Sequence, residues 1–376
     1  MKLTPADHKF DSADAPGAAV EVQAEPAFVD IQAKPVYSTE LAAFLKRAKA
    51  QNFRAILDII LWGWGRISLG VAMFALFPNP LTYVVATLFV SSGMGILVAL
   101  SHESQHSALL RSKKWNDLVG AWLCAYPVGS VYGASKAVHL AHHKYLNTSQ
   151  DPDRHFHLED DKSTPEQFAN YFLKLLCGGQ LWTSIVVNGF LRKDDDRSSQ
   201  ENTNPTACAG NSTSEQQTTA EKYAVGVRRK YPEVLNLLPV QAFVFGLLWL
   251  ATGFWWAYFA LWLVPIFTLG TFFGYLRGFI DHARLENDDV TLAAGRLISV
   301  PHPSLFDRAL LTGLDFHFHA EHHFFPAVPH YYLPELHNVL QNDPAFRERY
   351  LVRPTYFSFL RDYWKQISSG ARPSAR

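Results

Sequence analysis

Cysteine is scarce in this chain. Three occur in 376 residues, at Cys124, Cys177 and Cys208, far apart and with no CxxC among them. No disulfide framework is expected, and a reducing compartment is compatible. An excess of charge is also missing, since 34 basic residues balance 34 acidic ones. General attraction to nucleic acid is therefore not implied. No GxGxxG precedes a helix and no HPGG haem-binding signature occurs; His302-Pro303-Ser304 is not one. The opening residues do not read as a signal peptide. The first forty are rich in Ala, Asp, Glu and Pro and read as a flexible tail, assigned as 1–50.

Apolar sequence is abundant but unevenly spread. Hydrophobic residues make up 48% of the chain, yet mean hydropathy is close to zero because an apolar centre is flanked by polar ends. Four stretches reach the ~20 residues that span a bilayer core as helix: Ala55–Phe77, Leu81–Leu100, Val234–Ala251 and Phe254–Tyr275. The connections around Pro78–Pro80 and Ala251–Gly253 carry no Lys or Arg. The opposite flanks carry Lys46, Arg47, Lys49 and Arg54, then Arg111, Lys113 and Lys114, then Arg228, Arg229 and Lys230, then Arg277 and Arg284. By the positive-inside rule those flanks and both termini are cytoplasmic. The expected fold is an all-α integral membrane protein, multi-pass, with four transmembrane helices in two hairpins and a cytoplasmic helical cap. Burial of the same four helices inside a soluble core is the competing reading; soluble cores seldom supply such lengths with one-sided charge.

Arg66, near the middle of the first stretch, is costly there, and such a residue usually faces protein or a cavity; either the span is shifted along the sequence or Arg66 pairs internally, with a structural partner the simpler reading than a substrate headgroup. The core domain is placed at 51–345 and a C-terminal tail at 346–376. Within the core, about 193–222 is Ser, Thr, Asn, Gln and Asp with almost no apolar residue, and reads as a disordered insertion. Asn211-Ser212-Thr213 there matches a glycosylation acceptor that a cytoplasmic loop would never present. Leu118–Val131 and Phe168–Phe190 are expected to lie on the membrane face.

Histidine is the residue in surplus, with 16. Eight fall in three boxes: His102-Glu103-Ser104-Gln105-His106, His139-Leu140-Ala141-His142-His143, and His319-Ala320-Glu321-His322-His323. Spacings of three and four residues place imidazoles on one helical face. The adjacent pair in the second and third boxes splits toward two directions, which suits two metals. Neutral imidazole serves iron, copper, nickel or zinc. Eight ligands are too many for one tetrahedral zinc and suit two ions of five or six coordination. His282, just past the fourth stretch beside Asp281, is a ninth candidate; an ordinary membrane-boundary histidine is the alternative. Two crossings separate the first two boxes from the third, so all emerge on one side. His317 lies two before His319, would point away from it on a helix, and is left out. His8, His155, His157, His302, His330 and His337 are expected to be exposed or hydrogen-bonded.

The order HxxxH, HxxHH, HxxHH across a membrane hairpin resembles the membrane fatty acid desaturase superfamily. The likeness continues through Asn147 and Asp151-Pro152-Asp153 after the second box, and through Phe324-Phe325-Pro326 to His337 after the third. It covers roughly Ala55–His337 apart from the polar loop. The resemblance implies two Fe2+ ions held by His102, His106, His139, His142, His143, His319, His322 and His323, with His282 completing nine. It also implies O2 as co-substrate, a fatty acyl substrate, and electrons from an external ferredoxin, rubredoxin or cytochrome-type donor. Acyl-CoA desaturases of the stearoyl type carry an asparagine four positions before the additional histidine. Gly278 stands there in this chain, which points to the acyl-lipid, acyl-carrier or free-acid branches.

On that footing the expected reaction is O2-dependent oxidation of an unactivated acyl C–H, with desaturation the leading outcome. Sister outcomes on the same site are terminal-alkene-forming decarboxylation, hydroxylation, ketone formation and acetylenation. Glu103, Asp153, Asp281 and Glu321 are the candidates to fix imidazole tautomers. A substrate channel is expected between the helix hairpins. From other classes, the first box alone matches the HExxH of an integral-membrane zinc protease with Glu103 as general base, which leaves six box histidines without a purpose. A histidine-lined metal carrier is opposed by the absence of histidine from the four apolar stretches as delimited above.

Overall fold

The computed structural model describes residues 37–146, 148, 150–153, 161–179, 233–285, 288, 297–347 and 349–370. The expected polar insertion at 193–222 lies outside these residues, as do Asn147 and most of the expected N-terminal tail.

Among the described residues, four helices are long and apolar enough to cross a membrane. With a short helix α1 (Thr39–Arg47) ahead of them, they are α2 (Asn52–Leu76), α3 (Pro80–Gln105), α7 (Val234–Thr252) and α8 (Phe259–His282). Asn79 caps α3, its side chain accepting from the Leu81 and Thr82 N–H groups, with Pro80 in the first turn. Gly253, at φ 76°, closes α7 in the left-handed conformation that glycine adopts without penalty. The fourth helix starts later than its hydropathy shows, because residues 253–256 are spent on the turn, and it runs on to His282. The third helix likewise runs past its apolar stretch to Gln105, so the first histidine box continues its last turn.

The helix α3 sits at the centre: 61% of its most apolar stretch is buried, against 33%, 17% and 22% for α2, α7 and α8. Its contact with α2 is close. A β-carbon on Gly93 would stand 2.6 Å from the Gly63 carbonyl oxygen, and one on Gly63 would stand 2.6 Å from Leu97. Ile59, Ile67, Val90, Leu97, Leu261 and Trp262 form the shared core, with Trp64 stacked on Trp262 at 6.0 Å between ring centres. Burial of such side chains contributes roughly 1.5–3 kcal/mol each against water. Within a bilayer the gain is packing rather than dehydration.

The remaining elements gather at the box-bearing end of α3 and α8. They are α4 (Lys113–Val119), continued by a wider turn over Gly120–Ala125, α5 (Tyr132–Tyr145), α6 (Pro165–Leu176), α9 (His319–Phe324), α10 (Leu333–Asn342), α11 (Pro344–Arg347) and α12 (Tyr356–Ser368). Strands β1 (Ile298–Ser299) and β2 (Leu351–Val352) pair in parallel and are the only strands among the described residues. Leu41 and Phe44 of α1 are buried beside Leu333, Leu336 and Leu340 of α10, and Arg47 pairs with Glu335. The stretch read as tail therefore ends in a packed helix. On the other flank α12 buries Tyr356, Phe359 and Tyr363 against Phe279 of α8 and Phe172 of α6.

Candidate metal centre

Each histidine box reaches the centre from a different element. His102 stands in the last turn of α3, and His106 caps that helix at φ −90°, ψ 5°. Ser107 follows at φ 59°, a left-handed residue that turns the chain sharply away. The helix α5 carries all of the second box, α9 all of the third, and His282 is the last residue of α8.

The imidazoles form two groups. Nitrogens of His102, His106, His139, His143 and His322 all lie within 4.8 Å of one another, as do those of His142, His282 and His323. His319 joins the second group, with its Nε2 at 2.9 Å from Nε2 of His282. The groups abut: the rings of His143 and His323 stack at 4.0 Å, and those of His322 and His323 are 5.8 Å apart. As the spacing implied, His142 and His143 turn to different groups, and so do His322 and His323.

The electrostatics suit a cation. Burial first, then neighbouring imidazoles, hold His139, His143, His319, His322 and His323 well below the usual histidine range, while His106 is brought to about 4 by burial and Lys136. Neutral rings are the form that ligates metal. Nε2 of His143, both ring nitrogens of His322 and Nε2 of His323 are buried without a hydrogen-bond partner. Such groups cost about 1–3 kcal/mol apiece when left unpaired. Nε2 of His106 and Nε2 of His139 face each other at 2.7 Å. Lone pairs converging on two shared points in this way fit a pair of imidazole-binding cations, and carboxylate-loving Mg2+ or Ca2+ poorly.

A carboxylate holds one of these rings from behind. Asp151 accepts from Nδ1 of His142 at 2.9 Å, leaving Nε2 for the centre. Asp281 accepts from Nε of Arg277 and from the Tyr356 hydroxyl, both at 3.0 Å, and stands 3.7 Å from Nδ1 of His319. The other three expected acids are arranged differently. Asp153 is oriented by its own N–H, which donates to Asp151 at 2.9 Å, and burial, opposed by His142, pushes its carboxyl up to about 6. Glu321 accepts from His337. Glu103 accepts the His330 backbone N–H at 2.6 Å and is not one of the groups that converge.

His330 is a further buried residue of the site's surroundings. Its Nε2 lies 3.1 Å from Asp58 and its Nδ1 3.3 Å from Asp315. Burial works against its charge, but Glu103, Asp315 and Asp58 prevail and push it up to about 9. This histidine ties α2 to the segment after the third box. Only its chain neighbours were visible in the sequence; its partners are 15 and 272 residues away.

A cavity of about 840 Å³ opens beside His102 and His139, walled by Val98, Ala125, Val128, Val131, Ala134 and Val138. It lies between α3 and α5 and reaches Val234 at the start of α7. Gln105 and Ser135, hydrogen-bonded at 3.0 Å, stand on its wall.

The fatty acid desaturase family model matches residues 78–356 of this chain. Over 281 residues, 70% of this chain and 69% of the relative, the sequence is 25% identical to a dihydrorhizobitoxine desaturase of Bradyrhizobium elkanii. The match runs from the turn before α3 into the start of α12 and so takes in every histidine of the two groups. The chain belongs to the fatty acid desaturase family.

Proposed function

We propose that this protein is an integral-membrane, di-iron oxidoreductase that introduces a double bond into a fatty acyl chain. The observation that carries the reading is the convergence of His102, His106, His139, His143 and His322 into one group and His142, His282, His319 and His323 into another. Those residues are the ligands in this reading. Bound there, iron supplies what no side chain offers, the O2-dependent removal of hydrogen from an unactivated C–H. The relative's name gives desaturation as that protein's reaction, which favours a double bond over an added hydroxyl or a lost carboxyl here.

The chain's own residues do three things in this account. The valines and alanines of the cavity hold the acyl chain against His102 and His139 and keep water out. Asp151 orients the ring of His142. Gln105 and Ser135 fasten α3 to α5 where both face the substrate. The helices α2 and α3 form one hairpin and α7 and α8 the other. Their basic flanks lie in the cytoplasm with both termini and the metal centre, and electrons come from a separate ferredoxin, rubredoxin or cytochrome-type protein. The zinc-protease reading needs Glu103 free beside the metal as a base, and Glu103 is engaged by the His330 N–H instead.

The test is expression in a bacterial host, with lipids, free acids and volatile hydrocarbons profiled by mass spectrometry beside a His322→Ala control. An acyl chain lighter by two hydrogens, absent from the control, supports the proposal. A gained oxygen or a terminal alkene one carbon shorter keeps the iron site and replaces the reaction. Identical profiles together with bound zinc overturn both.

A further inference from the structure

Leu305 and Phe306 are among the most exposed apolar residues described, at 87% and 61%. They belong to none of the four long helices. They open the wider helical turn Asp307–Thr312, between β1 and α9, in a stretch that does not read as a membrane span. The helix α3 fixes where they sit. The Ser92 hydroxyl donates to the Ala309 carbonyl and accepts from the Arg66 guanidinium at 2.8 Å. Gly313, at φ 47°, lies close against α3, where a β-carbon would stand 3.5 Å from the Gly95 carbonyl oxygen.

Ser92 is near the middle of that helix. At 1.5 Å per residue, 26 residues measure about 39 Å, and Ser92 lies about 18 Å from Pro80. Wherever a hydrocarbon core of about 30 Å is laid along those 39 Å, Ser92 falls inside it by about 9 Å or more. It also continues the row of Leu81, Val84 and Leu88, the exposed face of α3. Ser304 and Asp307 satisfy each other's polar groups: the buried Asp307 carboxylate accepts the Ser304 N–H at 2.8 Å, and the Asp307 N–H donates to the Ser304 hydroxyl at 3.1 Å. Arg308 is exposed, and a side chain of that length can carry its charge out of a bilayer.

We propose that residues 304–312 form a fifth membrane-seated element, a re-entrant turn laid on the lipid-facing row of α3 with Leu305 and Phe306 packed among lipid acyl chains. Arg277 holds the far end of the turn, donating to the carbonyls of Thr312 and Phe316 at 3.0 and 2.8 Å. The seat thereby fixes the depth of the segment that delivers His319, His322 and His323. The proposal rests on α3 crossing the bilayer.

Nitroxide labels on the full chain in phosphatidylcholine vesicles test it. The background is Cys177→Ser with Cys208→Ser, which leaves only the buried Cys124. Leu305→Cys and Phe306→Cys are each labelled, beside Leu88→Cys on α3 and Ser369→Cys at the end of α12. Collision with dissolved O2 relative to an aqueous nickel chelate is expected to be several-fold higher at 305 and 306 than at 369, and to match position 88. Values like those of position 369 would place the turn in water and overturn the proposal. Low collision with both quenchers would mean that protein, not lipid, covers the turn. A label at 88 that also reads water would remove the span itself, and the proposal with it.

Discussion

At the scale of single residues, the account separates the nine histidines that serve the centre from His330, a buried one that does not. Asp151→Asn keeps the size of the group that holds His142 but removes its charge. It should lower product formation about 10–100-fold and leave the thermal midpoint in detergent nearly unchanged. A parallel loss of folded protein would make Asp151 a structural residue. His330 gives a pH dependence of definite sign. Its pKa is about 9 in the fold against about 6.5 unfolded, so its contribution to stability is complete below pH ~6.5 and is lost as pH rises through about 9. The amount at stake is roughly 3 kcal/mol. Thermal midpoints should fall across that window, and His330→Gln should flatten the fall; a variant as steep as the parent would contradict the assignment. The boxes were legible because spacing of three or four residues is local information. Asp151 was legible only as a neighbour of Asp153, since the backbone turn that brings it to His142 is not encoded in spacing. His330 was not legible as a buried ion, because Asp58 lies 272 residues away.

At the scale of elements, hydropathy located all four long helices but not their ends, since polar residues such as His102 and Asp281 extend α3 and α8 beyond the apolar stretch. The helix α1 was missed for a related reason. Its buried face is only Leu41 and Phe44, too short a pattern to stand out beside a polar tail. Glycines inside α2 and α3 gave no signal of their own, yet they set the distance between the two helices. Gly93→Leu drives a side chain into the Gly63 backbone and should destabilise the pair by about 3 kcal/mol or more, read as a lowered thermal midpoint. The substrate channel was expected between the hairpins and the cavity lies between α3 and α5, because the stretch around Ala125–Val131 supplies one wall. Ala134→Phe fills that space. It should shift activity toward shorter acyl chains while leaving the iron content intact, and unchanged chain-length selectivity would place the substrate elsewhere.

At the scale of the whole molecule, the claim is that a membrane scaffold brings four separate stretches of sequence to two points. The four apolar helices of that scaffold were visible in the sequence, because apolar length is local information; the parity of their crossings belongs to the proposal. The identity of the metal was not, because imidazole accepts several, and family membership rather than geometry points to iron. Iron and zinc per chain, measured by elemental analysis on purified protein with 57Fe Mössbauer spectra alongside, test the central claim most directly. The account predicts about two non-haem irons per chain, falling on His322→Ala and on His323→Ala alike. A single zinc per chain, indifferent to those substitutions, would contradict it.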